Sequence, residues 1–356
     1  MNLSRINKVK DCFSRNGIDG MYVTNITNVR YLTGFTGSAG SLLLIGEESH
    51  FFTDGRYTEQ VKDQVKNCTI HIVGGSHIKG IKDQGLMKGQ KKIGFEGDHI
   101  SHSDFLILKE SLSDVKWIQT SSIVEYIAAI KDQNEIDSLK SAIEITDVVF
   151  DEIIKEIKEG VTENEIAALI SYKFKNNGAE GDSYDPIVAS GWRSALPHAC
   201  PTNKPFKKGD FVVMDFGALF NGYHADMTRT IVIGPPTERH KEIYQIVLDS
   251  QMSGIKKAKA GISGAEVDGA CRSVISNAGY GEYFNHSTGH GIGLEVHTHP
   301  RLSSFNKEPL LENYVVTIEP GIYLPKWGGV RIEDDCWIKK DECLPLNRST
   351  KELVSL

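Results

Sequence analysis

"EGVTENEIAALISYKFKNNG" (residues 159–178) aligns without a gap to "AGISGAEVDGACRSVISNAG" (residues 260–279), an offset of 101 residues. Each copy has a glycine, then Thr162 or Ser263 two residues later, then Glu165 or Glu266 three residues on. Each closes on a glycine, Gly178 or Gly279. The spacing is that of a capping box: the hydroxyl accepts from the amide three residues on, and the glutamate reaches back to the cap amide. The closing glycine suits the left-handed residue just past a helix. Capped helices can resemble one another by chance, but one offset shared by glycines, caps and stops favours a duplication. After each copy come a histidine-bearing segment and strands that carry acids. Two α/β halves about a pseudo-twofold axis, with a site between them, are expected.

Before the first copy, "AAIKDQNEIDSLKSAIEITDVVFDEIIKEIKEG" has Ile136, Leu139, Ile143, Val149, Ile153 and Ile157 at helical spacing. This predicts a long amphipathic helix with Gly160 as its stop. Earlier still, "GMYVTN", "GSLLLIG", "SHFFTD", "IHIV" and "KKIGFEG" read as strands, with helical spacing over residues 4–16 and 57–66, an α/β pattern. The expected organisation is a small α/β domain over residues 1–126 and a second domain over 127–356. A length of 356 residues, 40% hydrophobic and 24% charged, agrees with two globular domains.

A net charge of −7 and the lack of a Lys/Arg stripe argue against a nucleic-acid partner. "KGQKK" near residue 90 reads as a solvated turn. The six cysteines form no CxxC pair, which argues against a zinc ribbon or a disulfide framework and for thiols in a reducing cytosol. "MNLSRINKVKDCF" has no apolar stretch of the signal-peptide kind, and apolar runs such as "SLLLIG" are too short to span a bilayer. A cytoplasmic protein with no membrane partner is expected.

The chemistry gathers in the second domain. "NHSTGHGIGLEVHTHP" (285–300) holds four histidines and a glutamate. Its glycines loosely echo a dinucleotide loop, but the run ends in proline rather than opening a helix, so a phosphate site is not expected. In "GDFVVMDFGALFNGYHADMTRTIVIG", Asn221-Gly222 signals a hairpin whose cross-strand partners have numbers summing to 443. Asp226 then faces Gly217, and Asp215 is its diagonal neighbour at ~7–8 Å. Two carboxylates aimed at one point repel unless a cation lies between them. In the second half, "YVVTIEPG" ends an apolar strand on Glu319, and "GGVRIEDD" puts Arg331 and Glu333 on one face, Val330 and Ile332 on the other. With His290 the inventory is four carboxylates and one imidazole. Two metals ~3.5–4 Å apart, sharing carboxylates, is the architecture that activates a bridging water or hydroxide. Many oxygens and one histidine favour Mn²⁺ over a closed zinc site, with Co²⁺ or Zn²⁺ as alternatives.

"VMDFG", "HADMTRT", "HSTGHGIGLEVH", "TIEPGIY" and "GGVRIEDD", in that order, resemble the pita-bread metallopeptidases, in particular the Xaa-Pro aminopeptidases and Xaa-Pro dipeptidases. "NVRYLTGFTGSAG" and "TDGRY" resemble that group's N-terminal domain, and "SGWRSALPHA" its substrate-side histidine segment, so the likeness covers the whole chain. The resemblance implies Asp215 on one metal, His290 and Glu319 on the other, and Asp226 and Glu333 bridging both. It makes His198 and His297 catalytic and substrate-contacting, with Glu319 also shuttling a proton. His286 lines the pocket, and Arg331 braces the cluster beside the substrate. The implied reaction is hydrolysis of the bond between an N-terminal residue and proline in short peptides, by a homodimer. One departure is Thr298 after His297, where relatives often carry an acid. Cys336 reads as a core residue and His299 as structural. The rival readings are a non-catalytic peptide-binding module of the same fold and a creatinase-type amidinohydrolase. Both lack the ligands, all of which are filled here. A methionine aminopeptidase shares the ligands without an N-terminal domain of this kind.

Overall fold

The computed structural model describes residues 2–356 apart from residues 88–90, so the expected "KGQKK" turn lies partly outside the described residues. The chain divides into two compact units, Met1–Ala128 and Ala129–Leu356.

The first unit is a mixed sheet. Its strands are β1 (Gly20–Val23), β2 (Ser41–Ile45), β3 (Glu48–Thr53), β4 (Thr69–Ile72), β5 (Lys92–Glu96) and β6 (Lys116–Thr120), in the order β4-β3-β2-β1-β5-β6. The apolar runs became strands because both faces are covered: Leu42, Leu43 and Leu44 are all fully buried. The helical spacing over residues 4–16 gives two helices, Asn2–Lys10 and Phe13–Asn16. They part where the Cys12 amide bonds back to the Val9 carbonyl, one residue too near for an α-helix.

In the second unit the first long helix spans Gln133–Ile153, capped by Asp132 with Glu135 in a capping box. It ends seven residues before Gly160, which sequence periodicity made its stop. Past Ile154 the ladder tightens to Glu156 N–H on Ile153 O, and the Gly160 amide bonds to Phe206 O. Ile157 is still buried, beside Val149 and Phe150 in the same core, so the apolar spacing outlasts the helix.

Both copies of the repeat form the expected caps. Thr162 Oγ accepts from the Glu165 amide at 3.2 Å and Glu165 accepts from the Thr162 amide at 2.7 Å. The matching distances for Ser263 and Glu266 are 3.3 and 3.0 Å. Gly178 and Gly279 both have φ of 89°, the left-handed value that favours glycine. The helices Glu163–Asn176 and Gly264–Asn277 each follow a longer one, Gln133–Ile153 and Glu238–Lys257.

The strands of this unit are β7 (Gly181–Asp182), β8 (Ile187–Ser190), β9 (Phe211–Phe216), β10 (Ala218–Phe220), β11 (Tyr223–His224), β12 (Met227–Val232), β13 (Gly289–Gly291), β14 (Thr298–Leu302), β15 (Val315–Ile318), β16 (Gly321–Leu324), β17 (Gly328–Arg331), β18 (Asp334–Ile338) and β19 (Cys343–Pro345). The first half makes an antiparallel sheet β12-β9-β8, and the second half repeats it as β18-β15-β13 within β14-β13-β15-β18-β19. The acids fall at matching places. Asp215 and Glu319 lie at the ends of the middle strands β9 and β15, and Asp226 and Glu333 just before β12 and β18.

The Asn221-Gly222 hairpin keeps the register read from the sequence: Asp215 pairs with Thr228 and Leu219 with His224. Both turn residues have positive φ, 50° and 76°, as a type I′ turn requires. The arms are not continuous strands, however. They break at Gly217 and at Ala225–Asp226, and the outer part, with β7, forms the separate sheet β11-β10-β7. At the break a Cβ on Gly217 would lie 1.7 Å from the Ala225 carbonyl oxygen, an approach only glycine permits. The Asp226 amide is released from the ladder and donates instead to Asp335 Oδ2 at 2.9 Å.

Candidate metal centre and substrate pocket

A cavity of about 340 Å³ opens in the second unit. Its lining includes every site residue expected from the sequence: His198, Asp215, Asp226, His286, His290, His297, Glu319, Arg331 and Glu333. Asp226, His290 and Glu333 are all buried and offer ligand atoms within 4.8 Å of one another. Strand position explains the convergence. His290 is the centre of β13, and the four acids sit where sheet strands end or begin, so their side chains turn inward together.

The electrostatics of this group demand positive charge. Burial, and then the charges of Asp215 and Glu319, push Asp226 well above the usual carboxylate range. Burial and the charges of Asp226, Glu319 and Asp215 do the same to Glu333, despite the 2.6 Å hydrogen bond it accepts from Thr228 Oγ1. Burial raises Glu319 too, but the hydrogen bond and charge of His290, with the charges of His286 and Arg331, outweigh it and hold the carboxyl at about 2. His290 Nδ1 lies 3.1 Å from its neighbour's carbonyl, Gly291 O, which makes that nitrogen the N–H donor. Nε2 then faces Asp226 Oδ2 at 3.6 Å and Glu319 Oε1 at 3.3 Å. An imidazole lone pair among carboxylate oxygens is stable only with a cation or a proton between them. This oxygen-rich donor set, with one nitrogen oriented by its own backbone contact, fits a divalent cation.

Asp215 and Glu319 lie beside this group of three and hold other partners. Asp215 Oδ2 accepts from Arg331 Nη2 at 2.5 Å, and Glu319 Oε1 from Thr317 Oγ1 at 3.1 Å. Arg331 spends its donors on the protein, adding Thr228 Oγ1 at 2.9 Å, Tyr323 OH at 2.9 Å and Pro197 O at 3.2 Å. Val330 and Ile332 point the other way, into the core. His297 packs edge-on against His290, centroids 4.3 Å apart, and burial lowers its pKa. Burial also lowers His286, whose ring nitrogens face Ser287 O at 2.8 Å and Tyr323 OH at 2.9 Å. His198 is exposed at the mouth. Cys336 is fully buried in the core, and His299 rests edge-on against Tyr314 outside the cavity lining.

Sequence reasoning missed Tyr184. Its hydroxyl is shared between Asp215 Oδ1 and Asp226 Oδ1, and burial with those two charges drives its pKa well above the phenol range. Nothing in "SYDPI" announces this, because the contact exists only once β9 and the loop before β8 are folded together. Tyr323 alternates along β16 with the core residues Ile322 and Leu324, and that parity is the signal that turns its hydroxyl toward Arg331 and His286.

Two duplicated α/β halves that close on a carboxylate-rich, one-histidine centre define a pita-bread metallohydrolase. The chain belongs to metallopeptidase family M24, whose profile matches residues 137–340, and residues 5–129 match the creatinase/prolidase N-terminal domain. It is 39% identical to a Xaa-Pro dipeptidase of Pyrococcus horikoshii, covering 98% of each chain. Among solved structures it is similar to a Xaa-Pro dipeptidase from Bacillus anthracis, with 42% identity, a TM-score of 0.96 and full coverage of both chains. It is also similar to an X-Pro aminopeptidase from Thermotoga maritima, with 41% identity, a TM-score of 0.89 and 96% and 98% coverage.

Proposed function

We propose that this protein is an exopeptidase with two divalent metal ions, cleaving the bond between an unblocked first residue and proline. The observation that carries the reading is the convergence of Asp226, His290 and Glu333, flanked by Asp215 and Glu319, in a cavity rimmed by three further histidines. Asp215 would hold one ion, His290 and Glu319 the other, and Asp226 and Glu333 both. Such ions supply Lewis-acid polarisation and make a water nucleophile available near neutral pH.

The chain's own groups do the rest. His297, kept neutral by burial, has an N–H to offer the oxygen on which charge develops. Glu319, held ionised, accepts a proton and passes it to the leaving nitrogen. Tyr184 and Arg331 hold Asp215 in place from two sides. An Xaa-Pro bond has no N–H to satisfy, and the apolar side chains of Ile187, Pro197 and Val296 offer the ring a wall without an acceptor left unpaired. His198 would fix the carbonyl or carboxylate beyond it, and His286, whose ring nitrogens face Ser287 O and Tyr323 OH, would line the pocket beside it.

Manganese is the expected ion, on donor chemistry. A homodimer in a reducing cytoplasm is the expected context. The net charge of −7 supports the absence of a nucleic-acid partner, and the lack of a CxxC pair supports the reducing compartment. No helix among the described residues is long and apolar enough to cross a membrane. The test is parallel kinetics of the manganese-loaded enzyme on Ala-Pro, Ala-Ala, acetyl-Ala-Pro and Ala-Pro-Ala. Cleavage of Ala-Pro with little turnover of Ala-Ala or the acetylated peptide is expected. Equal rates on Ala-Ala and Ala-Pro would reject proline selectivity.

A further inference from the structure

The segment that carries His198 leaves β8 at Ser190 and runs to Thr202 along an open surface. Trp192 and Leu196 are about half exposed, and His198 and Cys200 are exposed too. A histidine that must meet substrate within a few tenths of an ångström needs a firmer base than such a loop supplies.

One carboxylate ties both ends of it. Glu163 is fully buried. Its Oε1 accepts from the Ser190 amide at 2.8 Å and from Ser190 Oγ at 2.9 Å. Its Oε2 accepts from the Thr202 amide at 3.0 Å, Thr202 Oγ1 at 2.8 Å and Arg193 Nε at 3.0 Å. Arg193 carries the tie further round the loop, donating from Nη2 to Cys200 O at 2.5 Å. On the cavity side Arg331 holds Pro197 O, and Ser194 Oγ accepts from the Gly329 amide at 2.8 Å.

Helix capping does not account for Glu163. Thr162 and Glu165 already cap its helix. In the second copy of the repeat the matching residue is Gly264, where even a Cβ would stand 2.4 Å from the Arg301 carbonyl oxygen. The duplication kept the cap and changed the residue beside it. The second copy holds its own histidine segment from a different position: Asp268 accepts from the Thr288 amide and hydroxyl and from Arg272, which donates to His286 O.

We propose that Glu163 is a positioning residue for His198, setting the place of that imidazole at the cavity mouth. The inference rests on the reading of His198 as a substrate-contacting group. Its test is a double-mutant comparison in the manganese-loaded full chain, with kcat and KM on Ala-Pro, bound metal and melting temperature measured for each variant. Glu163→Gln turns one carboxylate oxygen into an amide donor facing either the Ser190 or the Thr202 amide, and a 1 Å displacement costs about 10²-fold. We expect kcat/KM to fall by ~10–10²-fold with metal content unchanged. Added to His198→Ala, the change should cost less than about threefold more; added to His297→Ala, it should cost its full factor. A merely structural role would lower both backgrounds alike, so full additivity with His198→Ala overturns the proposal, as does loss of metal or unchanged kinetics in Glu163→Gln. If His198→Ala alone leaves turnover unchanged, it is the role of His198 that fails, and this inference falls with it. Should Glu163→Gln not fold, Arg193→Met removes the tie to Cys200 O and is judged by the same non-additivity.

Discussion

Removing the metal should make the protein's stability depend on pH in a direction that the carboxylate cluster sets. Asp226 and Glu333 are pushed well above the ordinary carboxylate range in the metal-free chain. The folded state therefore holds protons that the unfolded chain releases at the same pH. Stability is fully present below the unfolded pKa near 4 and falls as pH rises toward the raised value, by about 1.4 kcal/mol per pH unit for each retained proton. A cation replaces those protons, so the loaded protein escapes the slope. Histidines whose pKa is lowered by burial, such as His286 and His297, are neutral in both states above pH 7 and drop out. Buried thiols such as Cys271 and Cys336, remote from the ions, cancel in the difference between loaded and metal-free protein. A domain of this size shifts by ~2–4 °C per kcal/mol. The gap in melting temperature between manganese-loaded and chelator-treated protein should thus widen by about 3–6 °C per pH unit for each retained proton, over the range between the unfolded pKa near 4 and the raised values. Calorimetric scans at matched ionic strength measure it. A gap that stays constant or narrows would refute the claim that these acids are protonated without metal.

Chelation should also abolish activity, with Mn²⁺ or Co²⁺ restoring it; full turnover by metal-free protein would sink the mechanism. Asp226→Ala and Glu333→Ala should lose more metal and more activity than His286→Ala, as measured by metal analysis and kinetics, because each would serve both ions. His297→Ala should lower kcat by ~10²–10³-fold with metal retained; loss of metal instead would make His297 a ligand. Gly217→Ala should destabilise the second unit by at least ~1–3 kcal/mol in denaturant melts, since its Cβ would meet the Ala225 carbonyl oxygen at 1.7 Å. A neutral outcome would show that the break between β9 and β10 is not needed.

The duplication, the capped helices, the hairpin register and the inventory of acids were legible from residue order alone, because caps, turns and strand parity are local physics. Thr162–Glu165, Asn221-Gly222 and the parity of Arg331 and Glu333 each involve residues a few positions apart. The end of the first long helix was not legible: Ile157 keeps its apolar spacing because the core needs it there, while the backbone has already turned toward Phe206. Nor was the break at Gly217, where the Asp226 amide leaves its ladder for a carboxylate 109 positions away. Tyr184 between two acids, Arg331 spent on four partners and Glu163 under the His198 segment belong to the same class. Apart from Tyr323, eight positions from Arg331, their partners lie 27 to 134 residues distant in the chain. No local pattern encodes such contacts, because a buried polar group takes whichever partner the packed halves bring within reach, and only the closed tertiary structure decides which that is.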